Sequence, residues 1–310
     1  MQRYIAKRIF YGLISVWLLT IIIFLAIRIT GDPARIMAEP GAGEEDLQLL
    51  RKKFGLDRPI HFQYYTFISK IARGDFGNSF QYKYPCLELY LQRLPNSIQL
   101  GLSAFIISLV LGIPLGIISA IKVNTLWDKI ASTFGVLGMS MPGFWLGMLF
   151  ILIFSVKLGV MPSGGMGSLK HLVMPAFSLG WYFTAAHLRM VRSSMLEVLG
   201  TDYVKFARLK GVPEVLVVVK HSFKNALLPV VTLAGINLVL ILNVTVIVEI
   251  VFSWPGIGRL LYQSIIVRDF PMVQTITLVA GIMMVVINLF VDILYALIDP
   301  RIRYERPSAH

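Results

Sequence analysis

The residues able to do chemistry in this chain are few and scattered. Two carboxylates, Glu249 and Asp292, fall within or beside long apolar runs, as do Asn237, Asn243 and Asn288. An ionisable group at membrane depth is costly and often functional. Both carboxylates sit near the ends of their apolar runs, where water reaches, and structural or interfacial roles outweigh a proton relay. Such a relay needs several groups along one path, and none can be assembled. Ser140 and Ser178 are potential nucleophiles for an intramembrane protease or acyltransferase, but neither has a His or Asp at its depth to act as base. The five histidines, His61, His171, His187, His221 and His310, show no metal-ligand spacing. Cys86 is the single cysteine, so it makes neither an internal disulfide nor a Cys-type zinc site. The chain has no Gly-x-x-x-x-Gly-Lys-[Ser/Thr] phosphate loop and no His-Glu-x-x-His pair. It is expected to hold no cofactor or metal and to catalyse no reaction.

One polar segment is better organised. Residues 193–228 form a long basic stretch between apolar runs. Thr201 or Asp202 can start a short helix through Leu209, which Gly211 can end, with Pro213 just beyond. Tyr203, Phe206, Ala207 and Lys210 would share one face of it. A short exposed helix with an aromatic face suits a groove on a partner protein. A basic helix equally suits an anionic lipid surface. Helix physics alone does not separate these two readings.

The elements that must position this segment are membrane helices. The chain is 56% hydrophobic and only 15% charged, with a mean hydropathy of +0.72. A soluble domain carries about 25% charged residues. The net charge of +12 does not point to nucleic acid, because no arginine-rich or aromatic-interleaved module is present and the basic residues mostly sit between apolar runs. A bilayer crossing takes about 20 apolar residues. The candidate spans are 9–29, 98–121, 131–156, 172–192, 229–252 and 273–298, the fourth being the least apolar. His187 and Arg189 fall near the end of that fourth span, within reach of headgroups. The first apolar run follows Arg3, Lys7 and Arg8, is too long for a signal peptide and lacks a small-residue cleavage site, so it reads as an uncleaved helix.

Lys and Arg concentrate in alternate loops: Lys122 and Lys129, then Arg192, Lys205, Arg208, Lys210, Lys220 and Lys224, then Arg301, Arg303 and Arg306. By the positive-inside rule both termini are expected in the cytoplasm. The 30–97 stretch then becomes an external subdomain, with turns at Gly31-Asp32-Pro33 and Pro40-Gly41 and a helical spacing of Leu47, Leu50 and Phe54. The expected organisation is one domain: an N-terminal helix (1–29), this subdomain (30–97), a five-helix core (98–298) that includes the 193–228 loop, and a tail (299–310). Pro114, Pro142, Pro175 and Pro229 lie in four of the spans, where proline bends an axis. Gly112 and Gly116, and Gly143 and Gly147, have the spacing of close helix contacts, more readily within one chain than between subunits.

The stretch Asp202-Tyr203-Val204-Lys205-Phe206-Ala207-Arg208-Leu209-Lys210-Gly211, followed by Lys224-Asn225-Ala226-Leu227-Leu228-Pro229, resembles the coupling loop of ABC importer permeases. More narrowly, it is similar to the dipeptide/oligopeptide/nickel branch. Ala207, Gly211 and Leu228-Pro229 keep the general importer pattern. Lys205 and Phe206 replace its Glu and Ala, which is usual in the peptide branch. Further matching stretches run in order along the chain: Gly31-Asp32-Pro33-Ala34, Phe54 to Ile60, Gly74 to Ser79, Arg93 to Ser97, Met161 to Gly165, Phe252 to Arg259 and Asp299-Pro300-Arg301.

The resemblance implies an all-α integral membrane protein of the type I ABC importer permease fold, with about six transmembrane helices and an external subdomain between helices 1 and 2. It implies a bacterial or archaeal plasma membrane location and a machine of several chains. Two homologous permeases line one path, two ATPase subunits below carry ATP and Mg, and an extracytoplasmic binding protein delivers di- or oligopeptides. Nickel chelates, glutathione or another small solute are alternatives within the family. Asp202, Tyr203, Lys205, Phe206, Ala207, Arg208, Lys210 and Gly211 would contact the ATPase. A passive channel would explain the helices but not this loop.

Overall fold

The computed structural model describes residues 2–30, 34 and 43–298. Nearly all of them are helical: α1 (Gln2–Thr30), α2 (Glu44–Phe54), α3 (Ile60–Ala72), α4 (Cys86–Ile121), α5 (Leu126–Ser140), α6 (Gly143–Phe150), α7 (Leu169–Leu199), α8 (Asp202–Leu209), α9 (Glu214–Leu216), α10 (Lys224–Val251), α11 (Ile257–Ile266) and α12 (Phe270–Ile298). Two π-helical runs, Ile151–Lys157 after α6 and Val217–Phe223 after α9, widen the backbone locally. Among the described residues four helices carry stretches long and apolar enough to cross a membrane: Ala6–Ala26, Cys86–Ile121, Glu214–Ile241 and Phe270–Phe290. The bent pair Leu126–Ser140 and Gly143–Lys157 makes a fifth.

The fourth expected span, 172–192, lies within α7. Fourteen of the 31 residues of α7 are buried among its neighbours, so much of its surface faces protein, and it does not count among the spans long and apolar enough to cross a membrane. His187 was expected near a membrane surface. It sits in the body of α7 instead, fully buried, with Nε2 3.3 Å from the Asn237 amide. The second span also starts earlier than expected, because the 86–97 end of the anticipated external loop continues α4. Of the four expected proline bends, Pro142 breaks its span outright, through 105° at Met141-Pro142. Pro114, Pro175 and Pro229 lie inside continuous helices.

The chain forms two compact units. The first holds residues 1–94 and 260–310. In it α1 lies along α12, and glycine allows the approach: a Cβ on Gly12 would sit 2.8 Å from Val285, and one on Gly281 would collide with Leu19. At the other end of α1 the Arg28 guanidinium stacks on Phe24 and donates to the Gln63 side-chain oxygen at 2.7 and 3.1 Å. Gln63 in turn donates to the Leu56 and Arg58 carbonyls. Thr20 and Tyr64 share a hydrogen bond of 2.8 Å, and Tyr64 packs edge-on to Phe24. These contacts tie α3 to α1. Of the spaced apolar residues in α2, Leu47 is buried. Leu50 and Phe54, as side chains, lie outside the described residues, as do Gly31-Asp32-Pro33, Pro40-Gly41 and the 299–310 tail.

The same unit holds a buried carboxylate. Asp269 caps α12 through the Met272 N–H at 3.4 Å. It also accepts from the Ser79 hydroxyl and the N–H groups of Phe80 and Gln81, so it folds the Gly74–Tyr82 turn around itself.

The second unit, residues 95–259, is built around α7, which packs against α5, α6 and α10. Small residues set the spacing. A Cβ on Gly112 would lie 2.9 Å from the Thr184 carbonyl oxygen, and one on Gly116 2.7 Å from that of Leu188. A Cβ on Gly143 would lie 2.6 Å from the Ser178 carbonyl oxygen, and one on Gly147 2.8 Å from the Phe252 ring. Both glycine pairs therefore meet elements of this same chain. Ser140 and Ser178 donate their hydroxyls to Val136 and Met174 in their own helices. Asp128, at the start of α5, accepts two bonds from Arg192 of α7 at 2.9 and 3.1 Å, one from Ser119 of α4 and one from the Asn124 N–H. This node joins three helices, the end of α4, the start of α5 and the later part of α7.

Replacing Asp269 with Ala should leave four donors of the Gly74–Tyr82 turn and the α12 cap unpaired, a loss of about 3 kcal/mol. The unfolding midpoint of the detergent-solubilised chain should drop by several degrees. An unchanged midpoint would contradict the assigned role.

Candidate docking site

The 193–228 loop folds into a short helix, a closing turn and a widened helical run. Thr201 takes the N-cap position with extended backbone (φ −73°, ψ 152°), but its hydroxyl bonds the Val198 carbonyl at 2.5 Å and caps nothing. At the other end Lys210 is the C-cap and Gly211 has φ +74°. The Gly211 N–H reaches the Arg208 carbonyl at 2.9 Å and the Val212 N–H reaches that of Ala207 at 3.3 Å. This paired closure requires a left-handed residue, which glycine adopts without cost. Pro213 then starts the next turn, as its fixed φ allows.

The helix has two distinct faces. Val204 and Ala207 are buried with Val217, with Val198, Leu199 and Val212 packed against them. Ala207 was expected on the partner face beside Tyr203, Phe206 and Lys210. The structure turns it inward, because Val204 and Ala207 stand three residues apart and together form the anchor. The outward face carries Phe206 at 62% and Leu209 at 81% exposure, with Tyr203 at 43%. Exposed apolar side chains of this size next to one another on a short helix mark a contact surface.

Polar residues fix how this face is presented. The Tyr203 hydroxyl donates to the His221 carbonyl at 3.4 Å and accepts from the Asn225 amide at 3.1 Å, and Asn225 also donates to His221 at 2.7 Å. The start of α10 is thus tied to α8. Arg208 makes a two-pronged contact with Glu214 at 3.1 and 2.6 Å, clamping the Gly211 turn. That bond raises the Arg208 pKa further above its ordinary value. Lys205 pairs with Asp202 at 2.9 Å, an exposed contact of little energetic weight. Lys205 and Lys210 remain exposed at the surface.

All eight residues expected here come together in one segment. Val204, Leu209, Glu214 and Asn225 also belong to it. Periodicity could have found Val204, since it is the buried partner of Ala207. Glu214 and Asn225 depend on the fold of the turn and the π run, which residue spacing does not reveal.

A second polar constellation lies at the far end of α10. Glu249 was expected within reach of water, yet it is fully buried. The chain turns back on it: the Ser97 hydroxyl donates to one carboxylate oxygen at 2.6 Å and the Arg259 N–H to the other at 3.1 Å. Ser97 also accepts from the Ile257 N–H at 2.8 Å. Trp254 donates its indole N–H to the Asn96 carbonyl, and Asn96 donates to the Pro255 carbonyl. The Phe252 to Arg259 turn therefore wraps a carboxylate at the N-terminus of α11. The Asp292 and Asn243 side chains lie outside the described residues.

Comparison with known proteins agrees along nearly the whole chain. Residues 112–304 match the family described as "Binding-protein-dependent transport system inner membrane component", and residues 1–101 match its N-terminal counterpart. The chain is 38% identical to the glutathione transport system permease protein GsiC of Escherichia coli strain K12, over 98% of this chain and all of the relative. It is 39% identical to the protein of the same name from Salmonella typhi, over the same shares. Among solved structures, the MetNI methionine ABC transporter in an inward-facing conformation matches 69% of this chain and 97% of the matched chain, at 19% identity and a TM-score of 0.58. An amino acid ABC transporter with histidines matches 67% of this chain and 93% of its own, at 15% identity and a TM-score of 0.54. These two likenesses concern the fold.

Val at position 211 would force a β-branched residue to positive φ, at a cost of about 1–2 kcal/mol. Amide hydrogen exchange across 202–209 should accelerate in Gly211→Val and stay close to wild type in Gly211→Asn, since Asn tolerates this conformation. Equal protection in both variants would contradict the closure described above.

Proposed function

Since the chain belongs to the family of binding-protein-dependent transport system inner membrane components, we propose that it forms half of a translocation path for short peptides. It is a multi-pass inner-membrane permease of an ABC importer. In this reading a second, homologous permease completes the path. Two ATPase subunits bind ATP and Mg beneath it, and an extracytoplasmic protein delivers the substrate. Both termini face the cytoplasm, which puts α8 on the ATPase side.

The observation that carries the proposal is the construction of α8. Its inner face is anchored by Val204 and Ala207, its ends are fixed by Gly211 and by Tyr203, and its outer face offers Phe206 and Leu209 among basic residues. A helix held this rigidly, with its apolar residues facing out, suits insertion into a groove of a partner. Asp202, Lys205, Arg208 and Lys210 would form the polar rim of that contact. Closure of the ATPases would move α8, and α8 would pass the motion to α10 as a rigid-body switch between inward- and outward-facing states.

Glutathione is the first substrate to test, because the GsiC relatives carry it in their names. Being a tripeptide, it falls within the short-peptide class. The 105° break between α5 and α6 borders a cavity of about 420 Å³, walled by Met141, Phe144, Tyr182, Phe183 and Leu240. We place this cavity on the path, where its uncharged wall suits the passing of side chains and leaves recognition of charged termini to the binding protein.

The test is uptake into proteoliposomes holding the complex purified from its native host together with its binding protein. ATP-dependent accumulation of labelled glutathione or of di- and tripeptides is expected. Solute flux independent of ATP would favour a channel and contradict the proposal. In the same preparation Phe206→Asp should place a charge in the apolar contact and reduce the ATPase recovered per permease by about tenfold, some 1.4 kcal/mol. An unaltered subunit ratio would remove Phe206 from the docking face.

A further inference from the structure

The α10 helix connects two constellations. Its first turn is bonded to α8 through Asn225, and its last turn carries Glu249. With 28 residues it is about 42 Å long. A rod of that length conveys motion only if its far end is fixed to what it must move.

The far end is fixed to α4. Four hydrogen bonds join Asn96 and Ser97 of α4 to residues 249–257: Ser97 to the Glu249 carboxylate, Ile257 N–H to Ser97, Trp254 to the Asn96 carbonyl, and Asn96 to the Pro255 carbonyl. Glu249 is central because its two oxygens serve different elements, Ser97 of α4 and the Arg259 N–H in the first turn of α11. The Arg259 guanidinium points elsewhere, onto the Ser253 carbonyl at 2.5 Å. So the Ser97 hydroxyl and the Arg259 main-chain N–H each hold one carboxylate oxygen, and the Arg259 side chain takes no part. Held this way it gains the favourable field of a helix N-terminus while both oxygens stay acceptors. A glutamine would replace one acceptor oxygen with an NH₂, which must either compete with the Ile257 N–H for the Ser97 oxygen or face the Arg259 main-chain N–H. Gly256 completes the fit, since a Cβ there would overlap the Glu249 carboxylate.

We propose that Glu249 is a positioning residue for transport: it locks α4 to the end of α10, so that a movement received at α8 displaces both helices as one body. The role rests on the transport reading above. It acts through Ser97 and the 252–259 turn and requires no contact with substrate.

The test uses the purified complex with its binding protein in proteoliposomes and the variants Glu249→Ala, Glu249→Gln and Ser97→Ala. Glu249→Ala should assemble with its partners and keep basal ATP hydrolysis, while hydrolysis stimulated by loaded binding protein and uptake both fall by about tenfold or more. Ser97→Ala and Glu249→Gln should fall between it and wild type. Spin labels at Leu102 of α4 and Ile247 of α10, both exposed, should report one distance in every nucleotide state of the wild type and a broadened distribution in Glu249→Ala. Retained stimulation with an unchanged distance would overturn the proposal. Loss of assembly and of basal hydrolysis in Glu249→Gln as well as Glu249→Ala would reduce the residue to a folding requirement and also overturn it. A wild-type complex without ATP-driven uptake would instead sink the transport reading, and the inference with it.

Discussion

A carboxylate removed from water must be answered by the protein itself, and among the described residues three are answered in the same way. Asp128, Glu249 and Asp269 are each at most 5% exposed. Each accepts from a serine hydroxyl, Ser119, Ser97 and Ser79 respectively. Each also accepts from a backbone N–H at a turn or a helix start. Only Asp128 adds a guanidinium, from Arg192. Leaving such a group unpaired in an apolar surrounding costs several kcal/mol, so the turns around these residues have little freedom to rearrange. These turns are also the places where helices are joined: α4, α5 and α7 at Asp128, α4, α10 and α11 at Glu249, and α12 with the Gly74–Tyr82 turn at Asp269.

Between these nodes the helices are held by close packing. Glycine and alanine bring α4, α5 and α6 against α7 at distances that no larger residue permits. Polar and small residues thus gather on α7, which explains why it is the least apolar of the long helices. The break at Met141-Pro142 redirects one span without removing it from this packing. The outcome is a second unit whose helices are rigidly interlocked, with an exposed α8 at one end and the Glu249 turn at the other.

Much of this was legible in the sequence, and the misses share a physical cause. Apolar length revealed five of the six expected spans, and the Gly-Val-Pro signal after Leu209 revealed where α8 ends, because both are local properties. The inward direction of Ala207 is not legible in spacing, because a helical face has no sign until its anchor, Val217, is known. His187 and Glu249 were placed near water for a related reason. Position along an apolar run indicates depth but not whether the residue faces lipid, water or protein. The partners of Glu249 are Ser97, about 150 residues away, and main-chain amides, and neither leaves a trace in residue spacing. The Phe252 to Arg259 stretch was recognisable as a family motif. Its physical purpose, to wrap a carboxylate, required the fold.

The central claim is that this chain works as the permease of an ATP-driven importer and is engaged through α8. The most direct measurement is a mild-detergent purification of the tagged chain from its native host, followed by mass spectrometry of the intact assembly. The account predicts a second permease and two ATPase subunits, with the binding protein present when its ligand is supplied. A chain that purifies alone under gentle extraction, with nucleotide present, would contradict it.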